Sequence, residues 1–242
     1  MAAETKKDIA KVVEALKANR FDCVEFVSEA DTANALILTM IPIDATVGIG
    51  GSVTVRQIGL LAKLKQRGTT VIDYAEPSDV PFDDLLRKTL CTDILITSSN
   101  AVTKDGRLVN IDGIGNRVAG MIFGPRTVIV VAGTNKIVRD VDEAINRIKN
   151  FIAPYHARTK KKKTPCAING RCVNCKSPER ICNITTIIDK KPSYTNFNIV
   201  LIDKDLGLGW DPSWPEERRD KILQAYRKSR RGFSQAAQKE PP

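Results

Sequence analysis

The chain is poor in aromatic side chains. Phe, Trp and Tyr make up 5% of it, with two Trp and a single His. That leaves no obvious platform for stacking nucleic-acid bases. Long hydrophobic runs are also missing. The longest, Val128 to Ala132, is strand-sized and far below the ~18 residues of a membrane span. The opening Met-Ala-Ala-Glu-Thr-Lys-Lys-Asp runs into an amphipathic helix pattern with no secretory apolar region, so a cytoplasmic location is expected. There is no internal repeat. Hydrophobic residues at 42%, with 15 Gly and 12 Pro in 242 residues, exclude collagen-like, wholly disordered and mucin-like chains. The length suits one large domain, or one domain with appendages.

Positive charge is in excess: Lys and Arg total 38 against 28 Asp and Glu, a net +10. Such a balance invites a nucleic-acid reading, but its distribution argues against one. Lys160 to Lys163 form one block, and Arg227, Lys228, Arg230 and Arg231 form another near the C-terminus. They line no common helix face and read as solvated linker and tail. A basic regulatory binding protein remains one alternative.

Hydrophobic periodicity predicts alternating helices and strands. A helix is expected from about Glu4 to Asn19, with Ile9, Val12, Val13 and Leu16 inward. Strands are expected near residues 24–27, 45–49, 69–74, 93–97 and 127–131, the last fully apolar and β-branched as in a buried parallel sheet. Helices are expected near 28–38, after Ser52 up to Gly68, over 82–90 and 115–123, and from Asp140 to Asn150, where Asp140 and Glu143 resemble a capping box. Asp105-Gly106 marks a tight turn. The alternation predicts an α/β layered fold with a mostly parallel sheet. After Pro154 the pattern breaks. The expected organisation is a core over 1–156, a basic Cys-rich loop over 157–183, returning core strands over 184–209, and a C-terminal helix with a flexible basic tail over 210–242.

Between a strand and a helix stands Gly48-x-Gly50-Gly51-Ser52. Glycines let backbone amides approach a ligand closely, and a helix start adds unpaired N–H groups. Gly50, Gly51, Ser52 and Thr54 are therefore candidate anion-binding residues. The Gly-Lys-Ser/Thr ending of a P-loop is absent, and Val53 replaces the third glycine of a dinucleotide fingerprint. Asp73, at the end of the next strand, is what remains of a nicotinamide reading. A plain strand-to-helix turn is the alternative.

A polar stretch follows in the middle of the chain. Thr97-Ser98-Ser99-Asn100 leaves a buried strand, and Asn110-x-Asp112-Gly113-x-Gly115-Asn116-Arg117 comes after the turn. Open α/β sheets bind ligands at strand C-termini. Asn100, Asp105, Asn110 and Asn116 could hold hydroxyls, Arg117 an anion, and Asp112 could act as a base. Lys136 could aim a positive charge at the same crevice. Turn residues and an exposed loop lysine are the alternatives.

Six cysteines are unevenly placed. Cys23 and Cys91 stand alone in apolar settings and read as buried small hydrophobes. Cys166, Cys172, Cys175 and Cys182 lie within 17 residues. In a cytosolic chain such clustering suggests metal before disulfides. Four thiolates suit a 4Fe–4S cluster or a tetrahedral zinc site. Only one Cys-x2-Cys pair is present, which favours the iron cluster over zinc. Ordinary or redox-active thiols are a further alternative.

The residues from Gly50-Gly51-Ser52-Val-Thr54-x-Arg56-x-Ile58-Gly59, through Asp105-Gly106-x-Leu108-Val-Asn110-Ile-Asp112-Gly113-x-Gly115-Asn116-Arg117, to Gly133-x-Asn135-Lys136 resemble the lactate-utilisation (LUD) domain family. The segment Thr164 to Asn183 resembles its cysteine-bearing branch. The likeness covers residues 5 to 205. It implies a fold like ribose phosphate isomerases and CoA transferases, with a small anionic ligand near the glycine-rich turn. It also implies a role in oxidising L-lactate beside iron–sulfur and oxidoreductase partner subunits, without carrying over a hydride-transfer residue. A stand-alone isomerase or transferase acting on a phosphorylated or CoA-linked substrate is the other enzyme-like reading.

Overall fold

A computed structural model describes residues 2–230, with side chains from Lys7 onward. Residues 231–242, where the sequence suggests a disordered basic end containing Arg231, lie outside the described residues. Ten helices and ten strands follow in chain order among the described residues: α1 (Ala2–Ala18), β1 (Cys23–Val27), α2 (Ala30–Thr39), β2 (Thr46–Ile49), α3 (Val53–Gln57), α4 (Leu60–Gln66) and β3 (Thr70–Ile72). Next come α5 (Phe82–Leu90), β4 (Ile94–Thr97), β5 (Ala101–Thr103), β6 (Leu108–Asp112), α6 (Asn116–Ile122), β7 (Thr127–Gly133) and β8 (Ile137–Val138). The chain ends with α7 (Val141–Arg147), α8 (Ala153–Thr159), α9 (Pro165–Asn169), β9 (Ile184–Ile188), β10 (Asn196–Ile202) and α10 (Glu216–Arg230).

Six strands form one sheet in the order β1-β10-β7-β4-β2-β3, and every pairing in it is parallel. Strand periodicity explains how both faces are covered. On one face Ile94, Ile96, Ile129, Val131, Val200 and Ile202 pack with Ala33, Ile37, Val55, Leu60 and Leu64 of the helices. Their neighbours Leu95, Val128, Val130, Ile199 and Leu201 point the other way, onto Val12, Leu16 and Met121. Strands buried on both faces carry no polar alternation, as β4 and β7 illustrate.

A second sheet, β8-β5-β6-β9, pairs β6 antiparallel with both β5 and β9. Behind it a third core joins Val109, Ile111, Ala144, Ile148 and Ile152 to Trp210, Ile222 and Tyr226. α10 is therefore more than a solvated surface element, because it buries Ile222 and Tyr226.

Three local features differ from the sequence reading. The helix after Ser52 is split, because Gly59 takes a left-handed φ of 74° between α3 and α4. The helix capped by Asp140 does not stop near Asn150. It passes through a π-helical turn at Ile148–Ile152 and continues to Thr159. Pro154 lacks an amide hydrogen, and the wider turn just before it accommodates that loss. The Cys-rich segment is not all loop, since Pro165–Asn169 is helical.

Candidate functional site

Strand β2 has β3 on one side and β4 on the other. The chain thus changes direction across the sheet beside β2, and open parallel sheets bind ligands outside the strand C-termini at such a point. The segments leaving these ends are Gly50–Thr54 after β2, Ser98–Asn100 after β4 and Thr134–Lys136 after β7. The sequence-proposed residues on them do come together here.

The glycine-rich turn is shaped by its neighbours. Gly50 N donates to Ile96 O at 2.9 Å, and a Cβ on Gly50 would lie 2.6 Å from Thr97 Oγ1. Gly51 has a φ of +62°, and a Cβ there would fall 1.9 Å from Tyr74 Oη. Ser52 caps α3, accepting from Val55 N at 3.3 Å. The helix has only five residues, so its dipole is a weak source of anion attraction.

Lys136 carries the most unusual chemistry. It is 5% exposed. Its Nζ donates to Ser98 Oγ at 2.7 Å, Thr54 Oγ1 at 3.0 Å and the Ser99 carbonyl at 3.0 Å. All three partners are uncharged. Burial, reinforced by the charge of Arg117, brings its pKa down to about 7. The segment 204–209 lies across it as a strap. A Cβ on Gly207 would stand 3.2 Å from Nζ, and one on Gly209 would stand 3.3 Å from Cγ. Asn135 ties the strap down: its Nδ2 donates to Leu206 O and Gly209 O, and its Oδ1 accepts from Leu206 N at 2.9 Å. Gln57 Oε1 accepts from Gly207 N at 2.5 Å.

Arg117 is the second basic group. Nη2 donates to Asn100 Oδ1 at 3.0 Å, to Ile111 O at 3.2 Å and, in a close ion pair, to Asp112. Asp112 also accepts from Val118 N at 3.2 Å. With both oxygens engaged, Asp112 is suited to holding Arg117, and could act as a base only by releasing it. Asn110 is wholly buried and supports the crevice wall, its Oδ1 accepting from Asn100 N at 2.9 Å and Ser99 Oγ at 3.3 Å. Asn116 hydrogen-bonds Tyr74, whose hydroxyl pKa burial pushes up to about 12.

Asp105 is not part of this group. It sits at the far turn of the β5–β6 hairpin, paired with Thr103 and with Arg107 at 2.9 Å, beside Asn19 at the end of α1. Asp73 is also committed. It forms a close ion pair with Arg56 and accepts from Ala75 N at 3.0 Å, which leaves little for a ribose hydroxyl.

Cys166, Cys172, Cys175 and Cys182 are free, half-buried thiols. Cys23 is likewise half-buried, and Cys91 is exposed rather than buried, since it stands just past the end of α5. Among the described residues, no three His, Cys, Asp or Glu side chains are grouped to hold a metal ion. The loop backbone is nonetheless organised. Arg180 donates to Cys175 O at 2.6 Å, Cys182 O at 3.1 Å and Asn174 Oδ1 at 3.0 Å. Burial raises the Cys182 thiol pKa against the lowering effect of Arg180, and the charges of Cys172 and Cys166 raise it further. The loop has little core of its own, with Ile168 82% and Val173 54% exposed. It is sewn to the crevice: Asn183 N donates to Asp112 O at 2.8 Å, and Asn183 Nδ2 to Gly113 O at 3.1 Å. His156, the one histidine, is held elsewhere, its Nδ1 2.6 Å from Tyr226 Oη.

Tyr74, Gln57 and the strap were not legible as site residues. The one sequence signal was the alternating pair in Leu206-Gly207-Leu208-Gly209-Trp210, just beyond a strand. Two surface clefts lie outside the crevice. One of about 370 Å³ lies near Thr46, Arg87 and Cys91, and one of about 410 Å³ lies between α7 and Cys172–Asn174.

These features define an α/β protein with a parallel sheet and a polar, basic crevice at its switch point. The chain matches the LUD domain over residues 9–202 and belongs to that family, which is associated with lactate utilisation. It is similar to a DUF162 family protein from Deinococcus radiodurans, at 13% identity and a TM-score of 0.48, covering 83% of this chain and 98% of that one. It is also similar to ribose 5-phosphate isomerase A from Methanocaldococcus jannaschii, at 13% identity and a TM-score of 0.32, covering 55% of this chain and 66% of that one. No curated protein sequence matches. No helix among the described residues is long and apolar enough to cross a membrane.

Proposed function

We propose that the protein is a redox accessory subunit in the use of L-lactate or a related organic acid. In this reading it holds a small carboxylate between Arg117, Lys136 and the Gly50–Thr54 turn. Cys166, Cys172, Cys175 and Cys182 hold a four-iron cluster, with iron–sulfur and oxidoreductase subunits as partners. The observation that carries the reading is the seam between the two regions. Asn183, next to Cys182, is bonded to the backbone of Asp112 and Gly113, and the Asp112 carboxylate holds Arg117.

The donor set suits a metal centre. Four thiols without a histidine match iron–sulfur or all-cysteine zinc ligation. Arg180, bonded to the Cys175 and Cys182 carbonyls, supplies positive charge beside thiolates. The loop's exposed Ile168 and Val173 leave much of its folding free energy to come from metal–thiolate bonds. An iron–sulfur cluster, when bound, would accept or donate an electron. The chain's own residues would orient the carboxylate and keep water from Lys136.

Iron, acid-labile sulfide and zinc analysis of protein purified without oxygen tests this reading. About four irons and four sulfides per chain are expected. One zinc per colourless chain would keep the site and end the redox role. Metal-free protein after reconstitution, with all four thiols open to alkylation, would end both.

A further inference from the structure

A buried lysine normally faces a carboxylate, because burying an unpaired charge is costly. Lys136 faces none. Its Nζ meets two hydroxyls and one carbonyl, at 2.7 to 3.0 Å, under a strap of two glycines. Its charged neighbour is a cation, Arg117 of α6, and Asp112 of β6 is committed to Arg117. Thr54 of α3, Ser98 and Ser99 beyond β4, and the strap contribute only uncharged groups to its contacts. Desolvation beside another cation is the arrangement that makes a lysine amine nucleophilic.

We infer that Lys136 is a covalent carbonyl-binding residue, which takes a small 2-oxo acid as an imine. The inference rests on the proposed function for the carboxylate site and adds a covalent step to it. Two neighbouring hydroxyls within 3.0 Å of the amine, Ser98 Oγ and Thr54 Oγ1, suit the proton traffic. The neutral Nζ adds to the C2 carbonyl, and the carbonyl oxygen takes up a proton through Ser98 or Thr54. The carbinolamine then loses that oxygen as water, leaving a C=N bond to Nζ. No oxidant or reductant is consumed. Nη2 carries all three Arg117 bonds described above, so its Nη1 and Nε keep donor capacity for the carboxylate. The ligand reaches the amine when the strap lifts from Asn135 and Gln57. The protonated imine is an electron sink for breaking a bond next to the former carbonyl.

The test is reductive trapping. The full-length protein is incubated with pyruvate and borohydride, and the adduct is located by intact mass and peptide mapping. One reduced pyruvyl group per chain on Lys136 is expected, with a yield that rises through a pH of about 7 and then levels. Lys136→Met and Lys136→Arg, each checked for folding by circular dichroism, should lose the adduct from that peptide. Adducts spread over exposed lysines, with none at Lys136, would overturn the inference. So would a yield at Lys136 that climbs only towards 10.5, the ordinary lysine value. Calorimetry with L-lactate, which has no carbonyl, separates the two levels. Saturable lactate binding without trapping refutes the imine and leaves the carboxylate site standing. Absence of both refutes both.

Discussion

Replacing Lys136 by Met gives a pH signature that only a desolvated amine can produce. Met matches the lysine stem in bulk and cannot ionise. The native amine titrates near 7 and its unfolded counterpart near 10.5. A lysine whose folded pKa lies below its unfolded value binds fewer protons when folded across that window. Wild-type stability should therefore rise as pH goes from about 7 to 10.5, and the burial penalty is fully present below the folded value. At about 1.36 kcal/mol per pKa unit the ceiling is about 5 kcal/mol. The variant lacks this dependence. Its advantage over wild type should be greatest at or below pH 7 and shrink by about 3 to 5 kcal/mol towards 10.5. Losing the three Nζ bonds adds an offset that does not vary with pH, because Ser98 and Thr54 hydroxyls, 3.4 Å apart, do not titrate. Other ionisable groups are common to both proteins and cancel. Urea unfolding midpoints across the window measure the effect, expected to be a relative shift of about 1 to 1.7 M at an m-value of about 3 kcal/mol/M. Parallel midpoint curves for the two proteins would refute the reasoning.

Asn135→Ala should cost about 3 kcal/mol in urea unfolding, because it breaks three bonds to the strap and orphans buried backbone groups. It should also speed amide exchange at Leu206, whose N–H donates to Asn135 Oδ1, and at the adjoining Gly207. Gly51→Ala should cost about 2 kcal/mol or more, since the new Cβ meets Tyr74 Oη at a left-handed φ. In a double-mutant cycle, Tyr74→Phe should recover part of that loss. Cys172→Ser and Cys175→Ser should lose most bound metal, whereas Cys91→Ser should keep it, as metal analysis of each purified variant can decide.

Much of the main sheet could be read from the chain. The run at Thr127–Gly133 is seven residues long and β-branched, and Ile94–Thr97, though only four residues, is buried throughout and bounded by turn residues, so local pattern suffices. The second sheet was harder, because β5 has three residues and β8 only two. Such short strands are specified by their partners more than by their own periodicity. Pro154 misled for a related reason: a proline ends a helix unless the preceding turn widens, and nothing in Ile148–Ile152 announces a π-turn. The crevice residues Thr54, Ser98, Asn100, Arg117 and Lys136 were visible as polar groups at strand ends. That Lys136 is buried without a carboxylate was not visible, because its cover comes from residues 204–209, some seventy positions later. Asp105 looked equivalent to Asn110 in the same polar stretch, yet the two stand at opposite ends of the β5–β6 hairpin.

The central claim is that the cysteine loop and the Arg117–Lys136 crevice form one functional unit. It is tested most directly by following the visible spectrum of anaerobically reconstituted protein while L-lactate is titrated in. The predicted result is a brown protein whose spectrum shifts saturably. Arg117→Gln should retain the colour and lose the shift. A colourless protein, or a brown one whose spectrum is unmoved by ligand, would contradict the account.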